Sequence, residues 1–259
     1  MIDNEPKQKV KQTFSKHAQK YIDSKTHAKG ADLPLLLEWA NPQPDWTALD
    51  IATGGGHVAK LLSPYVKRVF ATDLTKQMLE NTANHLRDLT NIDYVIADAE
   101  NLPFIDNQFD LITCRIAPHH FPNPDLFIKE VYRTLKKGGI FCFIDNVAPD
   151  HQSLHSFMNT FEKLRDPSHV KALSISEWKI LLDETSFKIL KEKTRKKDFL
   201  YEDWLKRTVE SEAVANQVTS LFKNADDEMK KYFHIKQKDR NIESFAIDEW
   251  MVICQKSDT

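Results

Sequence analysis

The chain has 259 residues, 41% hydrophobic and 29% charged, with a formal net charge of -2. That length fits one large domain or two small ones, and the balanced charge gives no reason to expect nucleic acid or an anionic membrane as partner. The N-terminal MIDNEPKQKVKQ lacks the apolar core of a signal peptide, no apolar run reaches membrane-spanning length, and Cys114, Cys142 and Cys254 stand isolated in apolar segments without metal-type spacing, so buried thiols in a reducing, cytoplasmic setting are expected.

Val10, Phe14, Ala18 and Tyr21 recur at helical spacing within residues 7–21, with lysines opposite. Asp32 before Leu33-Pro34 reads as the N-cap of a short helix reaching Ala40, and Asn41-Pro42-Gln43-Pro44 then breaks the chain. Strand and helix patterns alternate from there. Residues 47–52 read as a strand, followed by Gly54-Gly55-Gly56 and a helix to about Leu62. Residues 68–73 form a second strand, and Thr75 caps a helix carrying Met78, Leu79, Ala83, Leu86 and Leu89 on one face. Residues 93–98 and 109–115 are strands three and four. Asn123-Pro124 opens a helix through Leu135, which Lys136-Lys137-Gly138 closes, and residues 139–145 are the fifth strand. Strands separated by helices imply a parallel, doubly wound sheet.

Beyond Asn146 the pattern changes. Leu154, Phe157, Met158, Phe161 and Leu164 make a helical stripe that stops at Asp166-Pro167, and reads as helix core or, if the helix is a lid, as an apolar substrate wall. Ser174-x-x-Glu177 is a capping box. Residues 186–193 read as a sixth strand, 201–233 as polar helix and 247–255 as a last strand. The basic run Lys191, Lys193, Arg195, Lys196 and Lys197 reads as a solvated strand end or turn rather than a nucleic-acid patch.

Three of the chain's six glycines stand in one strand-to-helix turn, where a ligand can approach bare backbone. The turn fits two ligands. Gly54-x-Gly56-x-x-Ala59, with Asp73 near the expected distance, satisfies the dinucleotide fingerprint. S-adenosylmethionine needs the same amide-rich turn for its methionyl end and the same acid for its ribose. Asp50 discriminates, because a carboxylate so close to the turn repels a pyrophosphate and suits an ammonium and a sulfonium.

The segment from Asp50 to Gly56 resembles the D-x-G-x-G-x-G first motif of class I S-adenosylmethionine-dependent methyltransferases, with Ala52 where the first glycine usually stands. Asp73 in ATDLTKQML, Asp98-Ala99 in ADAENLPF, and FDLITCRIAPHHFPNP followed by LKKGG extend the resemblance over about residues 45–145, toward the branch of ubiquinone and menaquinone biosynthesis methyltransferases. The resemblance implies that Asp73 holds both ribose hydroxyls, that Asp98 accepts from the adenine amine, and that Asp50, Ala52, Thr53, Gly54, Gly56, Leu74, Met78, Ala99 and Arg115 complete a site for S-adenosylmethionine and its product S-adenosylhomocysteine. It implies a mostly parallel seven-stranded Rossmann-like sheet with N-terminal helices and a helical insertion. The chain then divides into an N-terminal helical cap (1–44), a cofactor-binding core (45–146), and lid helices with the last strands (147–259), within a single domain. Tyr21 and Lys29 lie in the cap, which in this branch tends to cover the cofactor.

His119-His120 follow the fourth strand, at the edge where ligands bind in open α/β sheets. They either accept a substrate proton or shape the loop by hydrogen bonding, and the second reading is preferred; they do not form a metal site. The expected function is methyl transfer to a small-molecule acceptor, with no nucleic-acid partner and no integral membrane segment. An NAD-dependent oxidoreductase and a non-catalytic cofactor-binding protein on the same fold are the rivals.

Overall fold

Alternation of strand and helix periods predicts a parallel sheet, and the first five strands form one. A computed structural model describes residues 5–22, 30–239 and 241–257, with the backbone alone for 16–22. Strands β1 (Thr47–Ile51), β2 (Arg68–Asp73), β3 (Ile92–Ile96), β4 (Phe109–Arg115) and β5 (Leu135–Val147) pair in parallel. A long β8 (Asn241–Lys256) lies antiparallel between β5 and β6 (Phe187–Leu200). The order is β3-β2-β1-β4-β5-β8-β6, and a three-residue β7 (Lys236–Lys238) adds to β8. β7 was not expected; its three exposed residues, Lys-Gln-Lys, carry no apolar alternation.

Alternate residues of the central strands feed two cores. Leu49, Ile112, Phe141, Phe143, Val252 and Cys254 point to one face, where α5 (Pro124–Thr134) and α7 (Ile175–Glu184) bring Phe127, Val131 and Trp178. Ala48, Leu111, Cys142, Ile144, Met251 and Ile253 point to the other, under α2 (Asp32–Ala40) and α3 (His57–Leu62). Covering both faces is what lets β1, β4 and β5 read as near-continuous apolar runs. A third cluster joins α6 (Gln152–Arg165), α8 (Tyr201–Lys206) and α9 (Glu212–Lys223) to the far ends of β6 and β8. Phe157, Met158 and Phe161 are buried there, which favours the core reading of that stripe over a substrate wall. α10 (Asp227–Tyr232), α1 (Glu5–Ile22) and α4 (Lys76–His85) complete the described helices. The capping box at Ser174 and Glu177 forms as expected.

Several local expectations change. Asp32 is the first residue of α2 rather than its cap; it is buried and takes hydrogen bonds from Arg115 and Arg195. α5 ends at Thr134, and Lys136 to Gly139 form an irregular entry to β5 where its register with β4 shifts, with Gly138 at φ 71°. Asn123 and Thr75 occupy N-cap positions without capping hydrogen bonds from their side chains, and Asn123 instead donates its amide to Glu100. The basic run is strand and not turn: Lys191 and Lys193 stand exposed on it, as a solvated strand should, but the later cations do not. β6 continues to Leu200, and Arg195, Lys196 and Lys197 pair across the strands with Glu249 and Asp248. Lys29 lies outside the described residues, and of Tyr21 only the backbone, inside α1, is described.

Candidate active site

The sheet order reverses at β1: β2 and β3 lie on one side, β4 on the other. Open α/β sheets bind ligands at such a point, outside the carboxyl ends of the strands. Here Ile51, Asp73 and Arg115, the last residues of β1, β2 and β4, line one cavity of about 1050 Å³, counting its open mouth.

The loop after β1 forms the floor. Ala52 and Gly54 both have left-handed backbone, at φ 53° each. A left-handed alanine is strained, which explains why the family pattern has glycine at that position. Gly54 needs its freedom for the same reason, and a Cβ there would meet nothing closer than the Ala52 carbonyl oxygen at 4.0 Å, so its face stays open. Thr82 Oγ1 pins the loop by donating to the Gly54 carbonyl at 2.6 Å. Gly56 does something different. It does not line the cavity, and a Cβ on it would sit 2.5 Å from Thr82 Cγ2 and 2.8 Å from Leu86 Cδ1. Its conformation, at φ 75°, serves the packing of α3 against α4 rather than contact with a ligand.

Four carboxylates line the cavity. Asp50 is 1% exposed and accepts from Thr53 Oγ1 at 2.6 Å and Thr113 Oγ1 at 2.8 Å. Burial outweighs those hydrogen bonds and pushes its pKa up to about 6. Asp73 accepts from the Thr75 amide at 2.9 Å and the Gly54 amide at 3.2 Å, yet burial raises it too. Asp73 therefore both braces the turn and faces the cavity. Asp98 accepts from the Glu100 amide at 3.0 Å. Lys7 of α1 reaches both Asp98 and Glu100 at 2.6 Å, and those two carboxylates raise its pKa against the lowering effect of burial.

Of the residues expected around the cofactor, Asp50, Ala52, Thr53, Gly54, Asp73, Leu74, Met78, Asp98, Ala99 and Arg115 all line this cavity; Gly56 alone does not. Lys7, Val10 and Phe14 of α1 line it as well. No sequence motif marked Lys7, although Val10 and Phe14 share the apolar stripe of α1. Arg115 grips Asp32 with two nitrogens. Burial alone would raise Asp32, but the Arg115 hydrogen bonds and charge, with Arg195 behind, hold it below its ordinary value.

The two histidines part company in the short turn Pro118–His120. His120 lines the cavity and donates its Nδ1 proton to the Ser168 carbonyl at 3.0 Å. His119 lies instead in a second, adjoining cavity, where its Nδ1 meets Asp145 Oδ1 at 2.7 Å. Phe14, Ile116 and His120 line both spaces. Ile116 sits between them at φ 54°, a strained conformation for a β-branched residue. Asp145 was not singled out in the sequence; its signal was a carboxylate at the end of the fifth strand, beside the fourth.

The comparisons with known proteins bear on this geometry. A methyltransferase-domain family model matches residues 49–143. YcgJ of Bacillus subtilis (strain 168), named an uncharacterised methyltransferase, is 36% identical over 224 residues, covering 86% of this chain and 88% of YcgJ. The chain belongs to the class I S-adenosylmethionine-dependent methyltransferases. The methyltransferase fold is equally plain: the solved YcgJ structure superposes with a TM-score of 0.85 at 32% identity, covering 88% of this chain and 98% of that one. A solved protein from Bacillus halodurans C-125 gives 0.86 at 37% identity, covering 88% and 100%. Over about half of its length the chain is also similar to the UbiE-like methyltransferases. The ubiquinone/menaquinone biosynthesis C-methyltransferase UbiE of Shewanella pealeana is 32% identical over 133 residues, 49% of this chain and 53% of that enzyme. Nothing in these relatives supports the dinucleotide rival.

Proposed function

We propose that this methyltransferase moves a methyl group from S-adenosylmethionine to a small-molecule acceptor, with the first cavity holding the cofactor and the second the acceptor. The observation that carries the reading is the charge of the first cavity. Asp50, Asp73, Asp98 and Glu100 line it against two cations, Lys7 and Arg115, both of which are already paired. A pyrophosphate would meet the buried Asp50 carboxylate. A ligand with an ammonium, a sulfonium and a ribose diol finds complementary groups, so the residues fit the cofactor.

Residues 45–146 supply the cofactor site. Asp50, Ala52, Thr53 and Gly54 would take the methionyl end, Asp73 the ribose hydroxyls, and Leu74, Met78, Asp98 and Ala99 the adenine side. Arg115 lines the same cavity and is held by Asp32, which fixes its place. The described part of the N-terminal segment acts as a cap, with Lys7 and Phe14 closing the cavity, and residues from 147–257 wall the acceptor side together with Ile116, His119, His120 and Asn146. When bound, the cofactor supplies an electrophilic methyl group on a sulfonium. The chain then has to align the acceptor and exclude water, and both cavities are walled for that.

The test is incubation with methyl-labelled S-adenosylmethionine and either a small-molecule extract or macromolecular fractions. Label passing to low-molecular-weight product supports the reading. Label passing only to protein or nucleic acid contradicts it.

A further inference from the structure

The second cavity holds a hydrogen-bonded pair that binding the cofactor does not require. We propose that His119 is a catalytic base in that cavity, positioned by Asp145, and that the acceptor atom is a hydroxyl oxygen that loses its proton as it is methylated. The proposal rests on the reading above that the second cavity receives the acceptor.

Geometry comes first. Asp145 is 1% exposed, two residues before the end of β5, and takes two hydrogen bonds from His119, the backbone amide at 3.0 Å and ring Nδ1 at 2.7 Å. A carboxylate can only accept, so Nδ1 carries a proton, and in the neutral ring Nε2 holds the lone pair. Nε2 has no hydrogen-bond partner among the described residues, while the ring lines the cavity that meets the cofactor site at Phe14, Ile116 and His120. A histidine oriented by a buried carboxylate, on the wall of a substrate space, is the arrangement general bases use.

The neighbouring histidines lack this combination. His120 gives its Nδ1 proton to Ser168, and burial together with the nearby His119 lowers its pKa to about 4. His169 has Nε2 tied to Asn159 Oδ1 at 2.9 Å, and burial lowers it as well. For His119, burial also pulls downward, but the charge and hydrogen bond of Asp145 hold the ring above its ordinary value. The other charged groups around the cavity are Glu162, Arg165 and Asp166 near the end of α6, Lys197 of β6 and Arg207 after α8. Glu162 and Asp166 also favour the protonated ring.

A second observation points to a polar acceptor. Asn146 Oδ1 is buried on the wall of this cavity with no hydrogen-bond partner. Buried polar atoms are rarely left so. A donor on the bound acceptor would satisfy it.

The step balances within the ternary complex. The acceptor O–H breaks and its proton goes to His119 Nε2, where Asp145 stabilises the imidazolium. The oxygen lone pair forms the new carbon–oxygen bond, and the electron pair of the breaking carbon–sulfur bond stays on sulfur. Acceptors that arrive without a proton on the nucleophile, such as carboxylates, gain nothing from this base.

The probe is 4-nitrophenol, whose phenolate is yellow, added to protein saturated with S-adenosylhomocysteine at a pH where the free phenol is mostly protonated. The wild type should bind it as the yellow phenolate. His119→Asn and Asp145→Asn should each remove at least nine-tenths of that colour while binding S-adenosylhomocysteine within threefold of wild type. Should one variant fail to fold, the other decides. Absence of phenol binding, binding as the colourless phenol, or colour that survives both substitutions overturns the proposal. Failure of the wild type to bind S-adenosylhomocysteine would instead overturn the cofactor reading beneath it.

Discussion

Replacing Asp50 by asparagine should make the protein more stable and its cofactor site worse. Asp50 sits 1% exposed one residue before the end of β1, and burial raises its pKa from 3.8 to about 6. A carboxyl with a higher pKa folded than unfolded stabilises fully below the unfolded value and loses that contribution as pH rises through the folded one. Wild type at pH 8 therefore carries a burial cost of about 3 kcal/mol, at ~1.4 kcal/mol per pH unit of displacement. Asparagine carries no charge to bury. Its oxygen can accept from one of Thr53 and Thr113 and its amide can donate to the other, since hydroxyls serve in either role. Allowing about 1 kcal/mol for imperfect hydrogen bonds leaves the variant ahead by about 2 kcal/mol at pH 8. The advantage should shrink between about pH 6 and pH 4 and give way below to a deficit of about 1 kcal/mol, where both side chains are neutral and only the hydrogen-bond difference remains. Urea denaturation from pH 4 to pH 8 measures it. Calorimetry on the same variant should show S-adenosylhomocysteine binding weakened tenfold or more, because a charge-assisted contact is worth about 1.5–3 kcal/mol. A variant less stable at pH 8, or a difference that does not change with pH, would refute the reasoning.

Three further substitutions separate roles that look alike in the sequence. Gly56→Ala should lower stability by about 2–4 kcal/mol, from left-handed strain and from a Cβ driven into Thr82 and Leu86. Gly54→Ala meets strain but no clash, so a loss of about 1 kcal/mol is expected; equal losses in thermal denaturation would undo the distinction. Lys7→Ala should quicken S-adenosylhomocysteine release and weaken its binding about tenfold, by unlatching α1 from Asp98 and Glu100. Stopped-flow dissociation reads this directly, and slower release would mean that Lys7 competes with the ligand for Asp98.

The lining of the first cavity was legible because its determinants are local. Asp50, Asp73 and Asp98 each stand at or near a strand end beside small or turn-forming residues, and the parallel order brings those ends together. The sheet was legible because both faces are covered, which writes apolar runs into β1, β4 and β5. What stayed hidden depends on long-range partners. Asp32 looks like a helix cap by spacing, yet Arg115 and Arg195 claim it from 83 and 163 residues away. The basic run of β6 looks solvated until the register sets it against Asp248 and Glu249. Lys7 carries no local mark because its partners lie 91 and 93 residues along the chain. The split between His119 and His120 needed Asp145 and Ser168, which no spacing rule connects to them.

The central claim is that the carboxylate-lined cavity holds S-adenosylmethionine through Asp73. Calorimetric titration of S-adenosylhomocysteine into wild type and Asp73→Asn tests it most directly. Asparagine can keep accepting from one of the Gly54 and Thr75 amides, so the loop is better preserved than with alanine. Wild type should bind S-adenosylhomocysteine and not NAD, and the variant should bind at least tenfold more weakly with its folding transition little changed. Unchanged affinity in the variant, or binding of NAD in place of S-adenosylhomocysteine by the wild type, would contradict the account.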